Sequence, residues 1–104
     1  MTLFEVLVES AEETPDAVRA DAPDGSIAWS VDGRPFAVLS ADGSMASFLL
    51  ESMVAAAAVR TPDVRPSSRG PGWVELQPAD VDEHAADRAN AWFIFAHGRL
   101  AAGR

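Results

Sequence analysis

The pattern of apolar and polar positions predicts a helix near each end of the chain. Apolar residues recur at helical spacing over residues 3–13, and glutamates occupy most of the other side. Near the other end, Asp80 and Glu83 form a capping-box pattern that predicts the start of a long helix. This second helix is expected to run to about Gly98 and to bury one face, made of Ala85, Ala89, Trp92, Ala96 and Leu100.

Between these helices, alternating apolar positions and short turns predict a meander of three strands. The dipeptide Asp32-Gly33 is a strong hairpin signal between the first two strands, and a second turn at residues 41–43 leads to the third. These turns are too short for a crossover, so the strands are expected to be antiparallel. The three strands are expected at residues 27–31, 35–39 and 45–49.

The segment after the meander predicts a short helix and at least one further strand. Residues 51–60 are rich in alanine and are predicted to be helical until Pro62 stops them. Residues 63–71 are interpreted as a loop or an edge strand, and residues 72–77 as a short strand. The predicted fold class is therefore α+β, an antiparallel sheet covered by the N- and C-terminal helices, in a single domain over residues 1–104.

Length and residue usage limit the classes of protein to consider. A chain of 104 residues fits one domain with a core of its own. It has no cysteine, which excludes disulfides and thiolate metal sites and is typical of an intracellular protein. The first residues carry no basic region, and the longest apolar run, residues 53–59, is far shorter than the ~20 residues of a membrane helix. We therefore expect a soluble, cytoplasmic protein with no membrane association.

Charge is distributed unevenly along the chain. Residues 1–32 hold eight acids and one arginine, a balance of −7, whereas residues 33–78 hold four of each and are neutral. Residues 79–104 hold four acids and three arginines, so the whole chain carries −8. Because phosphate is repelled by a negative mean field, any contact with nucleic acid is expected to come from the neutral middle segment.

From Trp29 onward, the order of motifs resembles the MmcQ/YjbR family of small bacterial proteins. The likeness covers about residues 27–100 and depends on order and spacing together, because no single motif is diagnostic. The matching residues are Trp29-Ser30-Val31-Asp32-Gly33-Arg34-Pro35-Phe36-Ala37-Val38, Asp42-Gly43, Val64-Arg65-Pro66, Gly72-Trp73-Val74-Glu75 and Ala91-Trp92. The resemblance implies a CyaY-like α+β fold and DNA binding, with no defined catalytic residues. Relatives often carry a lysine near the end of the third strand, where this chain has Leu49.

Arginines on and near the loop at residues 63–71 are the candidate nucleic-acid-binding residues. Guanidinium groups grip phosphate bidentately, and the glycines of the loop allow close approach of a strand. The alternative is that these arginines pair with Asp63, Glu51 or Glu75 and only solubilise the loop. The candidate residues are Arg34, Arg60, Arg65 and Arg69, with Trp73 as a stacking platform beside them.

A second candidate surface is the apolar stretch in the closing helix. Residues 91–96 are apolar on every side, so either the first helix or a second chain is expected to cover the back of this helix. Trp92, Phe93 and Phe95 are therefore candidate interface residues for a protein partner or a homodimer. Of the three tryptophans, Trp73 is the expected exception to burial in the core.

No constellation of residues predicts catalysis, a cofactor or a metal. His84 and His97 are expected at the surface on opposite sides of one helix, where they cannot share a metal ion. The glutamates of residues 3–13 are interpreted as a solvated helix face. The predicted function is a non-enzymatic binding module, with DNA as the partner that the resemblance implies. The alternative is a protein-interaction or self-associating domain, which the charge of −8 favours.

Overall fold

A computed structural model describes residues 1–102 of the chain as three helices and six strands. The elements in chain order are α1 (Leu3–Glu12), β1 (Val18–Asp21), β2 (Ile27–Val31), β3 (Arg34–Leu39), β4 (Ala46–Leu49), α2 (Ser52–Ala58), β5 (Val64–Pro66), β6 (Trp73–Leu76) and α3 (Glu83–Ala102). The predicted α+β class and the three-strand meander, now β2 to β4, are confirmed. None of the helices within residues 1–102 is long and apolar enough to cross a membrane.

The strands form one antiparallel sheet in the order β1-β2-β3-β4-β6-β5. The first four strands follow the chain, whereas β6 lies between β4 and β5, which leaves β5 at the edge. The interpretation of residues 63–71 as an edge strand is correct for Val64–Pro66. Strand β1 was not expected, and it forms the opposite edge of the sheet.

Helices α1 and α3 pack together and cover one face of the sheet. Alternation of burial along β2 and β6 shows this one-sided covering, because every second side chain enters the core. The centre of the core is a group of rings joined edge to face. Phe93 of α3 contacts Trp29 and Phe36, with ring centroids 5.7 and 5.0 Å apart. We call the uncovered side of the sheet the open face.

Local hydrogen bonds fix where the two long helices begin. Thr2 and Glu5 form a reciprocal capping box at the start of α1. The predicted capping box at Asp80 is wrong, because α3 begins at Glu83 and Asp82 accepts the bond from the backbone N–H of Ala85 at 2.8 Å. The predicted buried face of α3 is confirmed from Ala85 to Leu100.

The turn between β2 and β3 has the geometry that its sequence predicts. Asp32 and Gly33 have φ angles of 52° and 76°. Two successive positive φ angles define the type I′ turn, whose twist matches that of the flanking strands. The hairpin pairs Val31 with Arg34, and a β-bulge between Trp29 and Ser30 then shifts the register so that Trp29 lies opposite Ala37 in the core.

Candidate binding surface

Arg65 lies on the open face of β5 and is paired with a carboxylate on the next strand. Its Nε donates to Oε1 of Glu75 at 2.8 Å, directly across the β5–β6 ladder. Glu75 also accepts a bond from the Ser67 hydroxyl at 3.2 Å. The Arg65 side chain is 65% exposed and that of Glu75 only 14%, so the charge of Arg65 is offset by a carboxylate held close to the sheet. One of the two outcomes expected for the arginines, pairing with Glu75, is therefore present.

Arg69 lies in the loop between β5 and β6, where it stacks on the half-buried Trp73. The guanidinium carbon of Arg69 is 5.6 Å from the Trp73 ring centroid, within the range of a cation–π contact. The backbone N–H of Arg69 donates to the Ser67 hydroxyl at 3.2 Å, which fixes the loop beside the ring. As expected, Trp73 is the tryptophan that reaches the surface, whereas Trp29 and Trp92 are buried.

Gly72 determines how the loop meets the strand that carries Trp73. Its φ is +82°, and a Cβ built at this position would lie 2.8 Å from the carbonyl oxygen of Leu50. The two backbones also touch through a hydrogen bond from the Leu50 N–H to the Gly72 carbonyl at 2.9 Å. A side chain cannot occupy this space, so glycine is required here for Trp73 to enter the sheet beside Leu49.

We define the β5–β6 patch as the surface formed around these two arginines on the open face. Met45 belongs to it, because its sulfur lies 3.9 Å from a terminal nitrogen of Arg65. Leu49 belongs to it as the half-buried residue opposite Trp73. The β5–β6 patch consists of Met45, Leu49, Arg65, Arg69, Trp73 and Glu75.

The other two candidate arginines do not lie in the β5–β6 patch. Arg34 is exposed at the β2–β3 hairpin, with β4 and β6 between its strand and β5. Arg60 is exposed just after α2, and α2 contributes Ala58 to the core on the covered face. Four arginines that the sequence groups in a neutral segment are thus divided among three places. Spacing along the chain carries no information about which face each guanidinium reaches.

The structure assigns the apolar stretch of α3 to the core of the chain itself. Trp92 is 8% exposed and Phe93 is fully buried, so neither is free to meet a second chain. The expectation that these two residues form an interface is therefore corrected, because α1 packs beside α3, which was the other alternative. Phe95 alone of the three stays at the surface, with 57% of its area exposed.

The sequence did not predict the acidic groove between α1 and α3. A cavity of about 620 Å³ lies there, and no basic side chain lines it. The glutamates on α1 are exposed, as expected of a solvated face, and Asp87 and Asn90 of α3 line the same groove. The lining residues are Met1, Val6, Glu9, Glu12, Glu13, Ala86, Asp87 and Asn90. Within residues 1–102, no three carboxylate or histidine groups are arranged to hold a metal ion.

His97 is not the plain surface residue that the sequence suggests. Its side chain is only 15% exposed, and Nε2 lies 2.6 Å from Oδ1 of Asp16. The imidazole also packs edge to face on Phe36, with ring centroids 5.6 Å apart. The pair ties the last turns of α3 to the loop between α1 and β1. This role depends on a contact over 81 positions, which no local pattern reveals.

Among the described residues, the structure supplies several surfaces on which a partner can bind. Of the surfaces, only the β5–β6 patch combines an accessible aromatic ring, two guanidinium groups and a position on rigid strands. No model of a known protein family matches the chain, and no curated protein matches it. The resemblance to the MmcQ/YjbR family therefore stays a prediction from the motifs.

Proposed function

We propose that this chain is a non-enzymatic binding module of the MmcQ/YjbR type that holds a partner protein against its β5–β6 patch. The observation that carries the proposal is the stacked Arg69–Trp73 pair next to the neutral Arg65–Glu75 pair, on a sheet face that no helix covers. Such a surface offers a rigid aromatic anchor at its centre, beside an arginine and a glutamate that satisfy one another.

The composition of the β5–β6 patch fits a protein partner. Trp, Arg and Met are the residue types that are enriched where proteins contact one another, and Trp and Arg dominate the energetic centre of interfaces. Met45 and Leu49 supply partly exposed apolar area beside the Trp73 ring. Because Glu75 offsets Arg65, the β5–β6 patch has little net charge, so its affinity would come from apolar and stacking contacts.

DNA is the second candidate partner, and one observation favours it. Within residues 1–102, no ion pair joins Arg34, Arg60 or Arg69 to a carboxylate, so these three guanidinium groups are available to phosphate. Two facts oppose it: the chain carries −8, and the three groups lie at separate places on the surface. We therefore rank DNA below a protein partner.

A fluorescence-anisotropy titration with duplex DNA at several salt concentrations separates the two candidates. DNA binding would give log K falling with log salt, with a slope of roughly −0.9 for each phosphate engaged. The triple variant Arg34→Ala, Arg60→Ala and Arg69→Ala would then flatten the slope. The proposed protein partner predicts no measurable binding even at low salt, and tight salt-dependent binding that these three arginines support would overturn our ranking.

Site-specific photo-crosslinking tests the β5–β6 patch directly. A photoreactive amino acid at Leu49 lies on the open face, and a matched control at Glu12 lies on α1. In an extract of the source cells, we expect a defined protein adduct from position 49 and none from position 12. Adding Trp73→Ala and Arg69→Ala to the first variant should abolish its adduct. An adduct that survives both substitutions would show that the β5–β6 patch does not hold the partner.

A further inference from the structure

Strand β1 leaves one side of the sheet open to pairing. It bonds to β2 on one side only, and all four of its residues are exposed. The opposite edge is less able to pair, because β5 has three residues and ends at Pro66, which has no N–H to donate. An added strand would therefore extend the sheet at β1.

The register of the β1–β2 hairpin shows which backbone groups of β1 point outward. Ala22 donates its N–H to the Ser26 carbonyl at 2.8 Å, continuing the register that places Ala20 opposite Ala28. In an antiparallel ladder, residues alternate between those bonded to the neighbouring strand and those bonded away from it. The N–H and C=O groups of Arg19 and Asp21 consequently face outward.

The side chains of the same two residues carry opposite charges on one face of the strand. Nε of Arg19 lies 2.8 Å from Oδ1 of Asp21. Both side chains lie on the face of the sheet that the helices cover, where the guanidinium of Arg19 also lies over the Phe4 ring. Between them, Ala20 points to the open face with a side chain too small to obstruct a neighbouring strand. The outward backbone groups therefore lie symmetrically about Ala20, with a positive side chain on one side of it and a negative side chain on the other.

We propose that two copies of the chain associate through their β1 strands, antiparallel and centred on Ala20. In this register, Arg19 of one copy lies opposite Asp21 of the second, and both residues present outward backbone groups, as a hydrogen-bonded pair requires. By the two-fold symmetry, Asp21 of the first copy lies opposite Arg19 of the second in the same way. Two ion pairs then stand directly across the new ladder, and the two sheets become one continuous antiparallel sheet.

The charges on β1 are the reason to expect that the strand added at this edge belongs to a second copy of the chain. The alternation of Arg19 and Asp21 is complementary to itself when reversed, whereas a strand of uniform charge would face one like charge. Val18, which is 62% exposed, gains a neighbour at Ala22 of the second copy on the open face. The negative charge of each copy opposes the approach, so the association is expected to be weak and dependent on protein concentration.

Sedimentation equilibrium over a range of protein concentrations at about 0.15 M salt, where the Debye length is ~8 Å, tests the proposal. The mass should rise from 11.0 kDa toward twice that value as concentration increases. Arg19→Asp and Asp21→Arg each put like charges opposite one another at two places, so each should weaken self-association about tenfold. A mass of 11.0 kDa at every concentration would overturn the proposal.

Mixing the two variants shows whether each substitution weakens self-association through the proposed register or only because it unfolds the chain. A copy with Arg19→Asp is complementary to a copy with Asp21→Arg, so the equimolar mixture should associate more tightly than either variant alone. The chain with both substitutions should recover the association of the original. If neither the mixture nor the chain with both substitutions recovers the association, this register is ruled out. Trp73→Ala lies on the β5–β6 patch and should leave the self-association unchanged, so this result does not depend on the proposed function.

Discussion

Arg65 and Glu75 face one another across the β5–β6 ladder, with Nε of the arginine 2.8 Å from Oε1 of the glutamate. The carboxylate accepts from Ser67 as well, so it is held in place while the guanidinium reaches outward. This arrangement determines the charge that the open face offers to a partner at this position. The β5–β6 patch therefore carries little net charge, and Trp73 and Arg69 form its accessible centre.

The Arg65–Glu75 pair should contribute little to stability, because the arginine is mostly exposed. We expect a double-mutant cycle with Arg65→Ala and Glu75→Gln to give a coupling of about 0.2–1 kcal/mol. Urea unfolding of the four proteins at neutral pH measures it. A coupling above ~2 kcal/mol would mean that the pair is part of the structural framework rather than of the surface.

Gly72→Ala should be one of the most damaging single substitutions on the surface of the chain. The new Cβ would meet the Leu50 carbonyl at 2.8 Å, in a backbone conformation with φ of +82°. We expect a loss of about 2 kcal/mol or more in the free energy of unfolding, measured by urea denaturation. The reason is that the clash separates the start of β6 from the end of β4.

Gly98→Ala is the matched control for this prediction. Gly98 lies inside α3, and no atom beyond its chain neighbours and the nearby backbone of its own helix lies within 4 Å of a Cβ built there. The same change should therefore stabilise the protein by about 0.5–1 kcal/mol, because alanine favours helix. Equal effects at both glycines would contradict the structural role that we assign to Gly72.

Most of the fold could be predicted because its signals are local. The type I′ turn at Asp32-Gly33 needs two residues, and the alternation over residues 27–31 identifies the buried side of a strand without any knowledge of its neighbours. The buried face of α3 follows in the same way from spacing, because positions 85, 89, 92, 96 and 100 lie on one side of any regular helix.

Strand β1 and the candidate site could not be predicted in the same way. Residues 18–21 alternate apolar and charged side chains over only four positions and all four are exposed, so no buried face marks this segment as a strand, and β1 forms by pairing with the edge of β2. The pairing of Arg65 with Glu75 depends on the register of two strands, and that of His97 with Asp16 depends on how the two ends of the chain meet. Composition reveals that arginines are present but not which carboxylate each one finds.

Phe93 and Phe95 give a direct test of which ring of α3 belongs to the core. Phe93 is fully buried against Trp29 and Phe36, and its replacement by alanine should cost about 3–5 kcal/mol in the free energy of unfolding. Phe95→Ala, only two residues away, should change that free energy by less than about 0.5 kcal/mol, because the side chain is 57% exposed. Thermal denaturation followed by circular dichroism checks both. A large loss from Phe95→Ala would show that this ring is covered in solution, for example by a second chain.

The turn between β3 and β4 should make stability depend on pH in acid. The carboxylate of Asp42 accepts bonds from the backbone N–H and hydroxyl of Ser44 and from the hydroxyl of Ser40, and these bonds lower its pKa from 3.8 to about 2. Because the pKa is lower in the folded state, the stabilisation is complete above the unfolded value of 3.8 and is lost as the pH falls toward 2.

We expect Asp42→Asn to be less stable than the original at pH 6, with a difference that shrinks as the pH falls through this window. Ser44→Ala removes one of the donors and should give a smaller loss of the same pH dependence. A difference between Asp42→Asn and the original that stays constant from pH 6 to pH 2, in urea unfolding at each pH, would disprove this role for the carboxylate.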